Sequence, residues 1–317
     1  GLMFAEACVR SVLDSDYPNF EVVVVDNGST DGSYELLCRS FSTVPNIEIV
    51  RNSRNLGFAE GNNVGYRNSK GDVVVFLNVD TKVERDWLGP LVSGLMSDDR
   101  VGGAQCKLLD MKNPGRVDST GSFLDFLGYV YPNRSESADN KSEIFYADGA
   151  AMALKRRVLA EVAFDGAAFD PSHFLYYEDT DLCWRVRLRG YKILLVPSSV
   201  AYHYRGGAGG GNLGYMRAFF FTRSHLLTLI KNYGFRNLIW QMSALVFIEL
   251  AHSAILLPRE PTRAVAKLRA ILWCLRNLRN AWMKRLFVQA RVRKVPDREV
   301  MRWMRKPSLV AARASAN

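Results

Sequence analysis

Paired cysteines are missing from this chain. Five occur in 317 residues (Cys8, Cys38, Cys106, Cys183 and Cys274), and no two stand at a CxxC spacing. That argues against a zinc site and against a disulfide framework, and it suits a reducing compartment. A basic-then-apolar leader is also absent from the first residues, so the expectation is a protein that is not secreted. No internal repeat occurs. Acids run short in the last third: from Gly211 onward about 20 Lys and Arg face about 4 Asp and Glu, roughly +16. The preceding 210 residues come to roughly −6, so the overall +10 conceals an acidic body with a basic tail. Such a tail faces either nucleic acid or an anionic membrane.

What is present is ordinary globular material. Hydrophobic residues make up 48% and charged residues 23%, enough for one large domain with an appendage or for two modest ones. Phe4, Cys8 and Val12 recur at helical spacing, which predicts a helix over 2–14. EVVVVDNGSTDGS (21–33) reads as a buried parallel strand and the loop at its carboxyl end. NIEIVRN (46–52) is a second strand, residues 58–69 a helix, and GDVVVFLNVD (71–80) a third strand. This alternation predicts an α/β fold with a mostly parallel sheet, whose ligands gather at the carboxyl ends of the strands. Asp26 and Asp80 stand at such ends.

A loop-rich stretch (110–146) comes next, then DGAAMALKRRVLAEV (148–162), whose spacing predicts a helix. EDTDLCWRVRLRGYKILLVP predicts a helix stopped at Gly190 and then a strand. RGGAGGG (205–211) reads as a mobile loop or a hinge, and everything beyond it as helical. LIWQMSALVFIELAHSAILL (238–257) has the length of a membrane span. Its Gln241, Glu249 and His252 share one face, however, which favours a helix in the interface or packed on a core.

Four short patterns carry possible chemistry. DNGSTDGS is either a strand-to-helix turn with Asx and Ser capping or a ligand loop led by Asp26. FLNVDT places Asn78 and Asp80 two apart, as a plain turn or as oxygen ligands for a hard cation that a diphosphate would complete. FLYYEDTDLCWR (174–185) sets Glu178, Asp179 and Asp181 at a helix start. There acids complement the helix dipole, Asp179 serves as N-cap and Asp181 fills the first turn. A carboxylate held in that place is also positioned as a general base. His203 ends another strand, either as a structural histidine or as a partner of Asp80 on a metal.

Together and in order, DNGSTDGS, NLGFAEGNNVGYRNSKGDVVVFLNVD, DGAAMALKR and FLYYEDTDLCWRVRLRGYKILLVPSSVAYHYRGG resemble the inverting family 2 glycosyltransferases of the GT-A fold, in particular their rhamnosyltransferase-like branch. The resemblance covers about residues 5–210. It implies a GT-A domain over 1–210, beside which the charge count and helical pattern set a basic helical region over 211–317. It implies a nucleotide-sugar donor (dTDP- or UDP-linked) and Mg2+ or Mn2+, with Asp80 and His203 on the metal. Asp26, Asn27, Ser29, Asn55, Gly57, Phe58, Asn63, Asn78, Asp148 and Gly149 would line the nucleotide-sugar pocket. Asp179 would be the base and Glu178 would orient the acceptor, a glycan or lipid-linked sugar of cell-surface polysaccharide. Family members also carry a strand ahead of the residue that is Gly1 here, so the chain as it stands is expected to bind donor weakly. The expected place is cytoplasmic, peripheral on the inner face of the membrane, with no nucleic-acid partner. Two alternatives are set against this. EVMRW (299–303) only approximates the QxxRW pattern of a processive synthase, and a silent binding module would have lost the acids that are present here.

Overall fold

The β-branched run ahead of Asp26 becomes strand β1 (Val22–Asp26) and pairs in parallel with β2 (Ile47–Arg51) across helix α2 (Ser33–Phe41). The helix expected from Phe4, Cys8 and Val12 is α1 (Leu2–Leu13), and it packs Ala5 and Val9 against Leu37 and Phe41 of α2. The protein is described as a computed structural model covering residues 2–136, 138–205 and 213–307. Apart from Arg205, the glycine-rich hinge expected over 205–211 lies outside the described residues. Helix α3 (Gly57–Asn68) leads to β3 (Val73–Leu77), β4 (Thr81–Val83), α4 (Leu88–Met96), β5 (Val101–Asp110) and β6 (Asn113–Ser119). The loop-rich stretch also holds three short strands: β7 (Ser122–Leu124), β8 (Val130–Pro132) and β9 (Ser142–Glu143).

The helix expected over 148–162 is only half there. Arg156–Val162 is α5, but Ala151–Lys155 is strand β10, antiparallel to both β3 and β5. AMALK has good helix formers, yet all five residues are buried between two neighbouring strands, and that tertiary context outweighs propensity. Helix α6 (Glu178–Leu188) then stops at Gly190, whose φ of +98° suits a residue without Cβ. Strand β11 (Lys192–His203) returns parallel to β5. The resulting mixed sheet runs β3-β10-β5-β11-β4, with β6 beside β5 and β9 beside β11. Among the described residues, β1 and β2 form a separate two-stranded sheet.

The basic region is helical: α7 (Leu213–Asn232), α8 (Phe235–Leu256), α9 (Pro261–Arg276) and α10 (Leu278–Phe287), then a π turn (Val288–Val292) and α11 (Asp297–Met301). These helices share the core of the body. Leu226, Leu229 and Ile230 of α7 and Val288 and Val292 of the π turn lie in one cluster with Phe145, Leu182, Trp184 and Ile193. Among the described residues α8 alone is long and apolar enough to cross a membrane.

Candidate active site

Helix α6 begins where the sequence places three acids, but its cap is not Asp179. The N-cap is Tyr177, in the left-handed region with no side-chain capping bond, and Glu178 and Asp179 occupy the first helical positions. Phe174 and Tyr176 have positive φ as well (60° and 65°), so a strained segment delivers the acids. Each such residue costs on the order of 1–3 kcal/mol, which the surroundings must offset. Much of what offsets it comes from α7. Phe174 stacks on Phe220 at 4.9 Å and Tyr177 on His225 at 4.7 Å. Ser224 Oγ donates to the carbonyls of His173 and Leu175, both at 3.1 Å, and Arg223 donates to that of Ser172 at 2.7 Å. Gly57 belongs to the same fit: its φ is +84°, and a Cβ there would sit 2.4 Å from the Phe174 ring.

The three acids end in three electrostatic states. Glu178 is buried with Oε2 lacking any hydrogen-bond partner, and burial beside Asp179 pushes its carboxyl well above the usual range. Asp179 accepts from the backbone N–H of Gly149 at 3.0 Å and of Thr180 at 2.6 Å. Burial and the nearby Asp148 still raise it to about 6. Asp181, expected as a first-turn capping residue, is instead fully buried inside a charge cluster. It pairs with Arg185 at 3.0 Å and with Lys231 of α7 at 2.9 Å, and Asn232 donates to it at 2.8 Å. Burial alone would raise its pKa, but Lys231 and Arg185 bring it down to about 2. Lys231 also holds Asp170, which Lys284 of α10 meets at 2.5 Å.

Gly149 and Asp148 sit beside Asp179. A Cβ on Gly149 would lie 3.4 Å from the Phe58 ring and 3.5 Å from Asp179, ordinary contact distances, so Gly149 packs directly between the two. Asp148 accepts from Ser122 Oγ at 2.8 Å and from Ser119 Oγ, while its own N–H donates to Gln105 Oε1 at 2.7 Å.

At the other end, His203 Nε2 lies 3.6 Å from Asp80 Oδ1, and Nδ1 lies 3.0 Å from Asp118 Oδ2. Arg205 also pairs with Asp118. Burial pulls the imidazole down, but its hydrogen bond to Asp118 and the nearby Asp80 carboxylate outweigh this and raise it to about 9. Such a preference for positive charge between two carboxylates also suits a divalent cation. One carboxylate and one imidazole, with the second imidazole nitrogen held by Asp118, fit Mg2+ or Mn2+ whose other positions go to ligand oxygens. Among the described residues no larger group of His, Cys, Asp and Glu converges on a metal position. Asn78 lies at the β3 end, its N–H donating to Ala150 O at 2.9 Å and its carbonyl accepting from Thr81 Oγ1 at 2.6 Å.

The β1 end forms the third part. Asp26 is buried and accepts from the Ser29 N–H at 3.2 Å, with Arg51 at 3.7 Å. Asn27 clamps the following loop: it accepts from Leu56 N–H and Asn52 and donates to Gly57 O at 3.0 Å and Asn55 Oδ1 at 3.2 Å. Asn63 is fully buried and exchanges two 2.9 Å hydrogen bonds with the Phe169 backbone. The side chains of Asn27, Asn55 and Asn63 therefore shape the wall around Gly57 and Phe58. Sequence reasoning missed Asp118 and Ser119, which connect His203 to Asp148. Their segment VDSTGS ends a strand in an acid followed by Ser and Gly, much as DNGSTDGS does, and that repeat of pattern was the available signal.

The sequence profile of Glycosyl transferase family 2 matches residues 4–163, about half of the chain. Glycosyltransferase AglE of Haloferax volcanii is 37% identical over 209 residues, which is 62% of this chain and 62% of AglE. Amylovoran biosynthesis glycosyltransferase AmsB of Erwinia amylovora is 26% identical over 197 residues, 60% of this chain and 62% of AmsB. The chain thus spans less than two thirds of the length of these curated relatives. Mannosyltransferase PcManGT from Pyrobaculum calidifontis, solved with GDP-Man and Mn2+, superposes with a TM-score of 0.55 at 21% identity, over 92% of this chain and 82% of that one. That likeness shows the fold, the GT-A arrangement of a central sheet flanked by helices. A profile match that runs from α1 through β10 to α5, on a fold of this type, settles the kinship: the chain belongs to glycosyl transferase family 2.

Proposed function

We propose that this protein transfers a sugar from a nucleoside-diphosphate donor to a hydroxyl acceptor in one inverting step, with Asp179 as general base. The observation that carries this is the state of Asp179: fixed by two backbone N–H groups, beside Asp148, and raised to about 6. A carboxylate of that basicity is ionised at neutral pH yet basic enough to take a proton. The acceptor O–H gives its proton to Asp179 as its oxygen bonds to the anomeric carbon. The bond from that carbon to the diphosphate breaks, and the nucleoside diphosphate leaves with the electron pair. Asp80 and His203 would hold Mg2+ or Mn2+, which when bound neutralises charge on the diphosphate. Asp26 and Ser29 serve the nucleoside, Asn78 and the wall made by Asn27, Asn55, Gly57, Phe58 and Asn63 shape its pocket, and Asp148 and Gly149 face the donor sugar. Glu178, buried and neutral, orients the acceptor side.

The name of AmsB, a biosynthesis glycosyltransferase, is in keeping with a role in glycan assembly; the resemblance in the sequence is what suggests a glycan or lipid-linked acceptor of cell-surface polysaccharide at the inner face of the membrane, and a deoxyhexose such as rhamnose as the sugar. The test is turnover of dTDP-, UDP- and GDP-sugars with Mg2+ or Mn2+, run with the chain and with Asp179→Asn. Transfer from one donor that disappears in the variant supports the proposal. Donor binding with no transfer to any acceptor would count against it.

A further inference from the structure

Helix α8 is built inside out. A helix on the outside of a globular body normally turns its polar face to water and its apolar stripe inward. Between Asn237 and Pro258 the one residue of fixed charge is Glu249, and it points inward, 3% exposed. There it pairs with Lys267 of α9 at 2.6 Å and accepts from the Tyr129 hydroxyl at 3.1 Å. Outward stand Ile239, Trp240, Phe247, Leu250 and Ile255, with Trp240 70% and Phe247 72% exposed. This is not scattered surface hydrophobicity. Sixteen of the twenty large apolar side chains exposed among the described residues lie beyond residue 210, on the helices where the roughly +16 charge is concentrated. Leu272, Leu275 and Met283 on α9 and α10 are exposed close in sequence to the exposed Arg269, Arg276 and Arg279.

We infer that the outer face of α8, with its arginine-bearing neighbours α9 and α10, is a docking surface for an anionic lipid bilayer, on which α8 lies flat. The chemistry fits that occupant. Uncharged aromatic and aliphatic side chains enter the headgroup–acyl boundary, and arginines beside them meet acidic headgroups. The position of Glu249 decides between lying flat and spanning. It sits near the middle of α8 and is tied to Tyr129, a residue of the catalytic body. A helix crossing the bilayer would carry its midpoint away from that partner and place Glu249 in hydrocarbon. Docking needs no nucleotide sugar, so its test is independent of the transferase proposal.

The experiment is co-sedimentation of the whole chain with phosphatidylcholine vesicles, with and without phosphatidylglycerol, at physiological salt. Wild type should bind the anionic vesicles, and raised salt should weaken binding. Phe247→Glu and Arg276→Glu/Arg279→Glu should each lower the partition coefficient by roughly tenfold or more, with unchanged circular dichroism. Shallow brominated lipids should quench emission that Trp240→Phe removes. Three results would overturn the inference. One is a folded wild type that ignores anionic vesicles. Another is concentration-dependent self-association, abolished by Phe247→Glu, without vesicle binding, which would make a second copy the occupant. The third is quenching strongest from bromines at the acyl ends, together with resistance to alkaline carbonate, which would mean a span.

Discussion

The pH dependence of turnover tests the assignment of Asp179 most directly. With its carboxyl at about 6, Asp179 is about one tenth ionised at pH 5 and about nine tenths ionised at pH 7. If its ionised form takes the acceptor proton, kcat/KM, which reports groups of the free enzyme, should fall about tenfold from pH 7 to pH 5. The limb should be centred near 6 rather than near an ordinary aspartate value. Asp179→Asn should lose roughly 10²–10⁴-fold in kcat, the usual worth of a general base, and its residual rate should be flat across that limb. Donor binding, followed separately by calorimetry, should move little between pH 5 and 7 on account of Asp179.

The same shift has a sign in stability. Asp179 binds its proton more tightly folded than unfolded. Its contribution is therefore complete below about pH 4 and is lost as pH rises through 6. The loss is about 3 kcal/mol, from two pKa units at about 1.4 kcal/mol each. Subtracting the Asp179→Asn unfolding free energy from that of wild type at pH 4 and at pH 7 isolates this quantity. A kcat/KM that stays level down to pH 5, or a variant that keeps a tenth of the wild-type rate, would refute the assignment.

Four other expectations follow from the geometry. Glu178→Gln should leave the acid limb within a few tenths of a pH unit, because a neutral Glu178 already imposes no charge on Asp179; a downward shift in the pH–rate profile would show that Glu178 is ionised. Lys231→Met strands Asp181 and Asp170 without their shared cation and should cost about 3–5 kcal/mol in urea unfolding. Gly57→Ala forces a Cβ against the Phe174 ring at a positive φ, and should cost more than about 1 kcal/mol and lower kcat by displacing the segment that delivers Asp179. Asp118→Asn should weaken Mn2+ affinity by about 10–100-fold in calorimetry, and without metal should also lower the thermal unfolding temperature at neutral pH, because His203 and Arg205 lose their carboxylate.

Legibility in the sequence followed from how local each determinant is. Strands β1, β2 and β3 and helix α6 announce themselves because β-branched runs and a glycine stop act within a few residues. Ala151–Lys155 did not, because its strand state depends on β3 and β5 flanking it, which no local pattern encodes. Pairs of site residues close in sequence, such as Asn78 with Asp80, were visible as strand ends. Asp118 was hidden by distance: it reaches His203 across 85 positions and comes from a stretch that reads as loop. Asp181 was misread for a related reason. Its helical position says first turn, whereas its partners Lys231 and Asn232 lie about 50 residues downstream and bury it.

That burial bears on what the basic region does for catalysis. Three carboxylates within one helical turn repel one another if all ionise, and the fold resolves this by giving each a different environment. Asp181 is ionised because Lys231 and Arg185 surround it, Glu178 is kept neutral by burial beside Asp179, and Asp179 is left between them near 6. Of these, the state of Asp181 requires α7, since Lys231 and Asn232 come from it. The strained entry through Phe174, Tyr176 and Tyr177 requires α7 too, through Phe220, Arg223, Ser224 and His225. The basic helices are thus an internal support of the segment that carries Asp179. Without α7, Asp181 would lose the lysine that keeps it ionised in the core, and Phe174 and Tyr177 would lose the rings that hold their left-handed backbone. Residues 1–210 expressed alone should accordingly lack a cooperative unfolding transition, and adding back residues 211–317 in the same chain should restore it.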